Sequence, residues 1–284
     1  YVERQTELCT IAAHNFPALD LNHISVRNDD GVAYLEAMSP VDCIFLDPAR
    51  RNEHGGKTVA ISDCEPNVAK LEGLLLSKAN RIMIKLSPML DLSQALKELP
   101  HTQEVHIISV NNECKELLLL LGQTAPEEIP VHCVNLSTKG EQEKQLFVFT
   151  REQEQHSECS YTDTLGNYLY EPNASLLKAG AFRSIAAAYS VKKLHPNSHL
   201  YTSETQIEGF PGRTFRIINR CSLNKKEIKE NLSDLKKANI TVRNFPATVA
   251  ELRKRIKLAE GGDTYLFAST LNDGQKILIR CGKV

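Results

Sequence analysis

The 284-residue sequence predicts an α/β domain followed by two small α+β segments, and three observations carry that reading. Short apolar runs alternate with helical patterns through residues 1–152, which is how a mostly parallel sheet covered by helices reads. A polar stretch at residues 152–158 then interrupts the pattern, as a linker does. Charge is also unevenly divided: residues 1–152 carry 14 basic and 22 acidic groups, residues 153–212 carry 4 and 6, and residues 213–284 carry 16 and 7. The predicted divisions are therefore 1–152, 153–213 and 214–284.

In chain order, Tyr1-Val2 is the end of a strand, and Leu8, Ile11 and Ala12 mark a helix after it. Residues 23–27 read as the next strand, and Val32, Leu35 and Met38 as the next helix. Cys43-Ile44-Phe45-Leu46 is a fully apolar strand. Leu71, Leu74, Leu75 and Leu76 predict a helix leading to the strand Ile82-Met83-Ile84, and Leu92, Leu96 and Leu99 another leading to residues 105–110. Residues 131–136 and 146–150 flank a polar connection, as an antiparallel pair would. Tyr168-Leu169-Tyr170-Glu171-Pro172 is strand-like, with Asn173 capping a helix expected to run to about Tyr189. Gly209, Pro211 and Gly212 mark a boundary. Beyond it come strand 215–219, helix 223–238, strand 240–245, helix 249–258 and strands 264–270 and 276–281. Thr248 and Glu251 have capping-box spacing, and Asn272-Asp273-Gly274 is a hairpin signal.

Composition excludes several classes. The longest aliphatic run, residues 117–121, is far below the roughly 18–20 residues of a membrane span. The eight cysteines are at least 19 positions apart, which leaves neither a metal knuckle nor a disulfide framework and predicts buried free thiols. No basic leader or apolar signal core stands at the start, so a cytoplasmic location is expected.

Chemistry in an open α/β sheet gathers where strands end, at their carboxyl edge. Three acidic exits appear there. Glu3 follows the first strand, Asp29 and Asp30 the second, and Asp47 the apolar run ending at Leu46. A carboxylate can take both hydroxyls of a ribose through its two oxygens, or accept from an adenine amino group. Each such Asp is equally well suited to cap the helix that follows.

The succession YVER, ISVRNDDGVAYLEAM and VDCIFLDPARR resembles the second, third and fourth motifs of class I S-adenosylmethionine-dependent methyltransferases. The later NYLYEPNASLLKAGAF and the basic module ending in ILIRCGKV resemble bacterial members with a ferredoxin-like insert and a THUMP-like terminal domain. The resemblance implies a Rossmann-like sheet and S-adenosylmethionine as cofactor. It implies that Glu3 holds the ribose, that Asp30, or alternatively Asp29, faces the adenine, and that Asp47, Pro48 and Arg50 form the catalytic loop. Ala49 and Arg50 depart from the D-P-P-aromatic form of that loop; the Arg50 plane could stack on a base or hold a phosphate, while amine methylation is less well supported. The family's Gly-rich first motif has no counterpart after Tyr1, which predicts a segment upstream. Gly55-Gly56 reads as an ordinary loop. A ribose-binding acidic residue at the end of its strand, the position Glu3 matches, is shared with nicotinamide-dependent enzymes, but the DPAR loop and the basic end argue against that class.

RNA is the partner implied by the basic module. Lys225, Lys226, Lys229, Lys236 and Lys237 are expected on its first helix, with Arg253, Lys254, Arg255 and Lys257 on its second, where they could neutralise phosphates of structured tRNA or rRNA. The same residues would also make a merely solvated face. The expected function is S-adenosylmethionine-dependent methylation of RNA; the alternative is an RNA-binding or assembly protein that keeps the fold without turnover.

Overall fold

A computed structural model describes residues 1–50, 60–138 and 144–284, Arg50 by its backbone alone. Its contacts divide the chain into two units, residues 1–105 with 116–129, and residues 106–115 with 130–284.

In the first unit, β1 (Val2–Glu3), α1 (Thr6–Ala18), β2 (Arg27–Asn28) and α2 (Gly31–Ala37) precede β3 (Val41–Leu46), β4 (Ala49–Arg50) and β5 (Cys64–Glu65). After them come α3 (Val68–Lys78), β6 (Ala79–Leu86) and α4 (Leu92–Glu98), then β7 (Thr102–Val110) and β8 (Glu113–Leu121), which the two units share. β1 and β2 pair in parallel, as do β3 and β6. β8 runs antiparallel to β6, with Ile82 opposite Leu121 and Leu86 opposite Leu117. Alternate residues of these strands supply the core: Ile82, Ile84, Leu86, Leu117, Leu119 and Leu121 are buried with Val68, Leu75 and Leu99 from the connecting segments. Burying each such side chain contributes roughly 1.5–3 kcal/mol before entropy is counted.

Three differences from expectation have local causes. The strand expected over residues 23–27 is confined to Arg27–Asn28, the two residues that pair with β1. The leucine run at residues 117–121 is β8, made antiparallel by a two-residue Asn111-Asn112 turn. Both asparagines have positive φ, 50° and 64°, the conformation a tight hairpin of this hand demands. The polar stretch at 152–158 is largely helical, as α5 below. Thr150 and Gln153 form a capping box there, so a segment that composition marks as linker has its own start signal.

The second unit continues with β9 (Pro130–Leu136) and β10 (Lys144–Thr150), paired antiparallel as expected, and α5 (Arg151–His156). Next come β11 (Tyr168–Pro172), α6 (Ala174–Ala179), α7 (Arg183–Ala188), β12 (Lys192–Lys193), β13 (Tyr201–Ser203) and β14 (Gly212–Cys221). α8 (Lys225–Leu232), β15 (Asn239–Val242), α9 (Val249–Ile256), β16 (Thr264–Thr270) and β17 (Lys276–Lys283) complete it. The single helix expected from Asn173 to about Tyr189 is broken at Gly180, whose left-handed φ of 77° ends α6. Glu154 of α5 accepts hydrogen bonds from the backbone of Phe182, Arg183 and Ser184, satisfying the start of α7.

Strands on both sides of residue 212 form one seven-stranded sheet, ordered β12-β13-β11-β14-β17-β16-β15. Period-two alternation gives that sheet two apolar faces. Phe267 and Ile279 join Leu169, Leu200 and Phe215 on one face, whereas Leu266, Ala268 and Leu278 join Leu232, Leu252 and Leu258 on the other, under α8 and α9. Glu171, 1% exposed, is held by Arg213 and by Arg243 at 2.8 Å, which ties β11 to the segment after β15. The eight cysteines are free as expected; five are buried, and Cys43 is exposed.

Candidate active site and basic face

The first unit contains a cleft of about 460 Å³ at the strand ends. Its walls include Val2, Glu3 and Arg4 from β1, Asp30 and Val32 at the start of α2, Asp47 and Ala49 after β3, and Glu65, Asn67 and Lys70 around β5 and α3. Three acidic exits separated by up to 44 positions in sequence thus meet in one place. Pairing sets them there: Glu3 lies opposite Asn28, Leu46 is in register with Ile84, and Ala49 pairs with Glu65 across the short β4–β5 ladder.

The carboxylates are not equivalent. Glu3 accepts from the backbone N–H of Gln5 at 2.8 Å through Oε1. Asp30 is the N-cap of α2, accepting from Val32 and Ala33 through Oδ1 while also lining the cleft. Asp29, the alternative, accepts from the Asp30 N–H and is absent from the cleft wall. Asp47 receives an ion pair from Lys85, Nζ to Oδ2 at 2.5 Å. That contact, ahead of the opposing effect of burial, raises the Lys85 pKa above its ordinary value. Arg4 and Glu65 form an exposed pair at 3.4 Å, which contributes little to stability. Pro48 follows Asp47 but is not part of the wall, and the side chain of Arg50, like the Gly55-Gly56 loop, lies outside the described residues.

Reading only the acidic strand ends overlooked Lys85. It stands inside β6, one residue before that strand ends, and the signal was the first polar residue after the apolar run Ile82-Met83-Ile84.

The cleft has the volume for a nucleoside; Arg4 and Lys70 share its wall with the carboxylates, and Glu3 and Asp30 are the ones that could accept from hydroxyl or amino groups of such a ligand.

In the second unit, α8 begins at the Asn224 cap, and Lys225, Lys226 and Lys229 project from it exposed. Lys236 and Lys237 are exposed too, but α8 stops at Leu232 and both lie in the link to β15 rather than on the helix. On α9, held by the Thr248–Glu251 capping box, Lys254 and Arg255 are exposed, and Lys257 is exposed at the left-handed C-cap. Arg253 is committed inward, donating to the carbonyls of Ala238 at 3.1 Å and Ala259 at 2.8 Å. Arg255 donates to Leu223 O at 2.9 Å. Among the acids here, hydrogen bonds from Ser222 lower the Glu227 pKa, the Arg280 guanidinium lowers that of Asp234, and Thr248 lowers that of Glu251.

Residues 168–211 match the family of ferredoxin-like domains, and residues 212–283 match a family described as THUMP domain-like. Comparison with curated proteins finds no match. Among solved structures, a proposed methyltransferase from Porphyromonas gingivalis W83 is 39% identical, with a TM-score of 0.89, over 100% of this chain and 71% of that one. No helix among the described residues is long and apolar enough to cross a membrane. With identity at that level across the whole chain, and with the two small domains following the α/β sheet, the chain belongs to the family of that protein, methyltransferase-like proteins with a ferredoxin-like and a THUMP-like domain.

Proposed function

We propose that this protein is a cytoplasmic S-adenosylmethionine-dependent methyltransferase acting on structured RNA, with the cofactor in the cleft of the first unit and RNA on the basic face of the second. The observation that carries the reading is the convergence of Glu3, Asp30 and Asp47, from three different strand ends, on one cleft. A lone capping Asp needs no such company. Bound there, the cofactor would supply an activated methyl group; the protein would contribute alignment of the acceptor, largely through proximity and orientation. Asp47, which lines the cleft, would accept a proton or hydrogen bond from that acceptor.

Calorimetric titration of S-adenosylmethionine into the full-length protein tests the reading. Glu3→Ala should weaken binding at least tenfold, since hydrogen bonds to a charged group contribute about 1.5–3 kcal/mol each. Equal affinity in the variant and the parent would remove Glu3 from the cofactor site, and no binding by the parent would favour the scaffold alternative.

A further inference from the structure

Among the described residues, one group of side chains brings three metal-ligating atoms together. A carboxylate oxygen of Glu104 and an imidazole nitrogen each of His106 and His132 lie within 4.8 Å of one another. Sequence separation hides the group, and strand geometry assembles it. Glu104 and His106 alternate along β7 and so share one face of that strand, while Val105 and Ile107 are fully buried on the other. β9 is a neighbour of β7. Ser109 Oγ donates to Val134 O at 3.2 Å and the Asn111 N–H to Leu136 O at 2.8 Å, so the two strands ascend together and His132 arrives beside His106. Val131 and Cys133 are fully buried, which turns His132, between them, to the opposite face. Alternate residues on a strand stand about 6.6 Å apart and neighbouring strands about 4.8 Å apart, so two residues on one strand and one on the next make a three-point platform.

The His106 and His132 rings are stacked, with centroids 4.4 Å apart and planes 7° from parallel. Parallel rings aim their in-plane lone pairs past each other, so binding one ion requires the rings to turn. The torsion that turns an imidazole is broad, and all three side chains are half-buried rather than locked in the core. A zinc-class ion sits about 2.0–2.2 Å from each nitrogen or oxygen ligand, which sets tetrahedral ligand atoms about 3.3 Å apart; the remaining closure, about 1.5 Å at most, is within the reach of side-chain rotation. Ligand chemistry selects the ion. Two imidazole nitrogens and a carboxylate suit zinc or a neighbouring first-row divalent ion, whereas calcium and magnesium ask for oxygen throughout. Three protein ligands leave a fourth position for water.

We propose that Glu104, His106 and His132 form a binding site for a zinc-class divalent ion that cross-links β7 and β9. The ion favours the folded chain, because only folding brings the three ligands together. None of the three lines the acidic cleft, so the site stands apart from the methyltransferase reading.

The test uses the full-length protein, stripped with a chelator and then freed of it. Calorimetric titration with zinc chloride should show a saturable site, and cobalt(II) should give visible d–d bands without the near-ultraviolet thiolate band of a cysteine site. Loss of a second-shell partner already costs a metal site about 10–100-fold in affinity, so His106→Phe or His132→Phe, each keeping an aromatic ring in the stack while removing a ligand, should weaken zinc binding by at least that. Glu104→Gln, nearly the same shape, should weaken it too and keeps the test open if a ring variant fails to fold. Zinc should raise the unfolding midpoint of the parent and leave that of the His106→Phe, His132→Phe double variant nearly unchanged. No zinc uptake by the parent, or a cobalt spectrum carrying the thiolate band, would overturn the site. Equal affinity in the variants would overturn it as well and assign the two histidines to packing alone.

Discussion

Replacing Lys225, Lys226 and Lys229 together by Gln separates an RNA-binding face from a merely solvated one. All three are exposed, and the first two stand in the opening turn of α8. Lys225 and Lys229 are one turn apart, so they share a helix face roughly 6 Å long. Cations in the first turn oppose the helix dipole by about 0.3–1 kcal/mol each, so the Gln variant should fold at least as stably as the parent. Each phosphate neutralised adds about 0.7–0.9 to the slope of log K against log salt. Losing three contacts should flatten that slope by about 2–2.7. Between roughly 50 and 200 mM salt, the parent should then lose about 20–40-fold more affinity than the variant. Filter binding of a structured RNA across a salt series measures both slopes. Identical slopes, with circular dichroism unchanged, would refute the assignment of these lysines to phosphate contact.

Two further predictions concern the second unit. Glu171→Gln should lower the midpoint of thermal unfolding by about 4–12 °C. Breaking a buried pair costs about 3–5 kcal/mol, and because Arg213 and Arg243 can turn partly to water, about 2–3 is expected here; a fall below about 2 °C would show that the carboxylate is not holding them. His199 stacks on Phe182 with ring centroids 3.7 Å apart, and burial, then the charges of Lys193 and Arg243, push its pKa down to about 4. The unfolded chain therefore binds the extra proton first: stability should be full above about pH 6.5 and fall as pH drops toward 4, by on the order of 2 kcal/mol, and denaturant melts of His199→Phe should lack that loss.

Elements with a strong period or a start signal were legible in the sequence. The apolar run ending at Leu46, the leucines of α3, the Thr248–Glu251 box and the Asn272-Asp273-Gly274 turn all appear where local chemistry puts them. Elements set by a partner were not. β2 is confined to the two residues that pair with β1, and no property of residues 23–26 reports where that pairing falls. The end of α8 at Leu232 likewise leaves Lys236 and Lys237 off the helix, although residues 233–238 continue its polar pattern.

For the candidate site, the limit is that one residue type answers two local demands. Asp30 caps α2 with Oδ1 and lines the cleft as well, so the sequence Asn28-Asp29-Asp30-Gly31 is equally explained by either duty. Asp91 caps α4 in the same way and lines no part of the cleft. Only position in the sheet separates the two, because the ends of β1 and β3 bring Glu3 and Asp47 beside Asp30 and bring no comparable group beside Asp91. Lys85 shows the same dependence on position. A basic residue near a strand end attracts no notice by itself, yet the β3–β6 register sets it against Asp47, and only that pairing brings it to the edge of the cleft's acidic group.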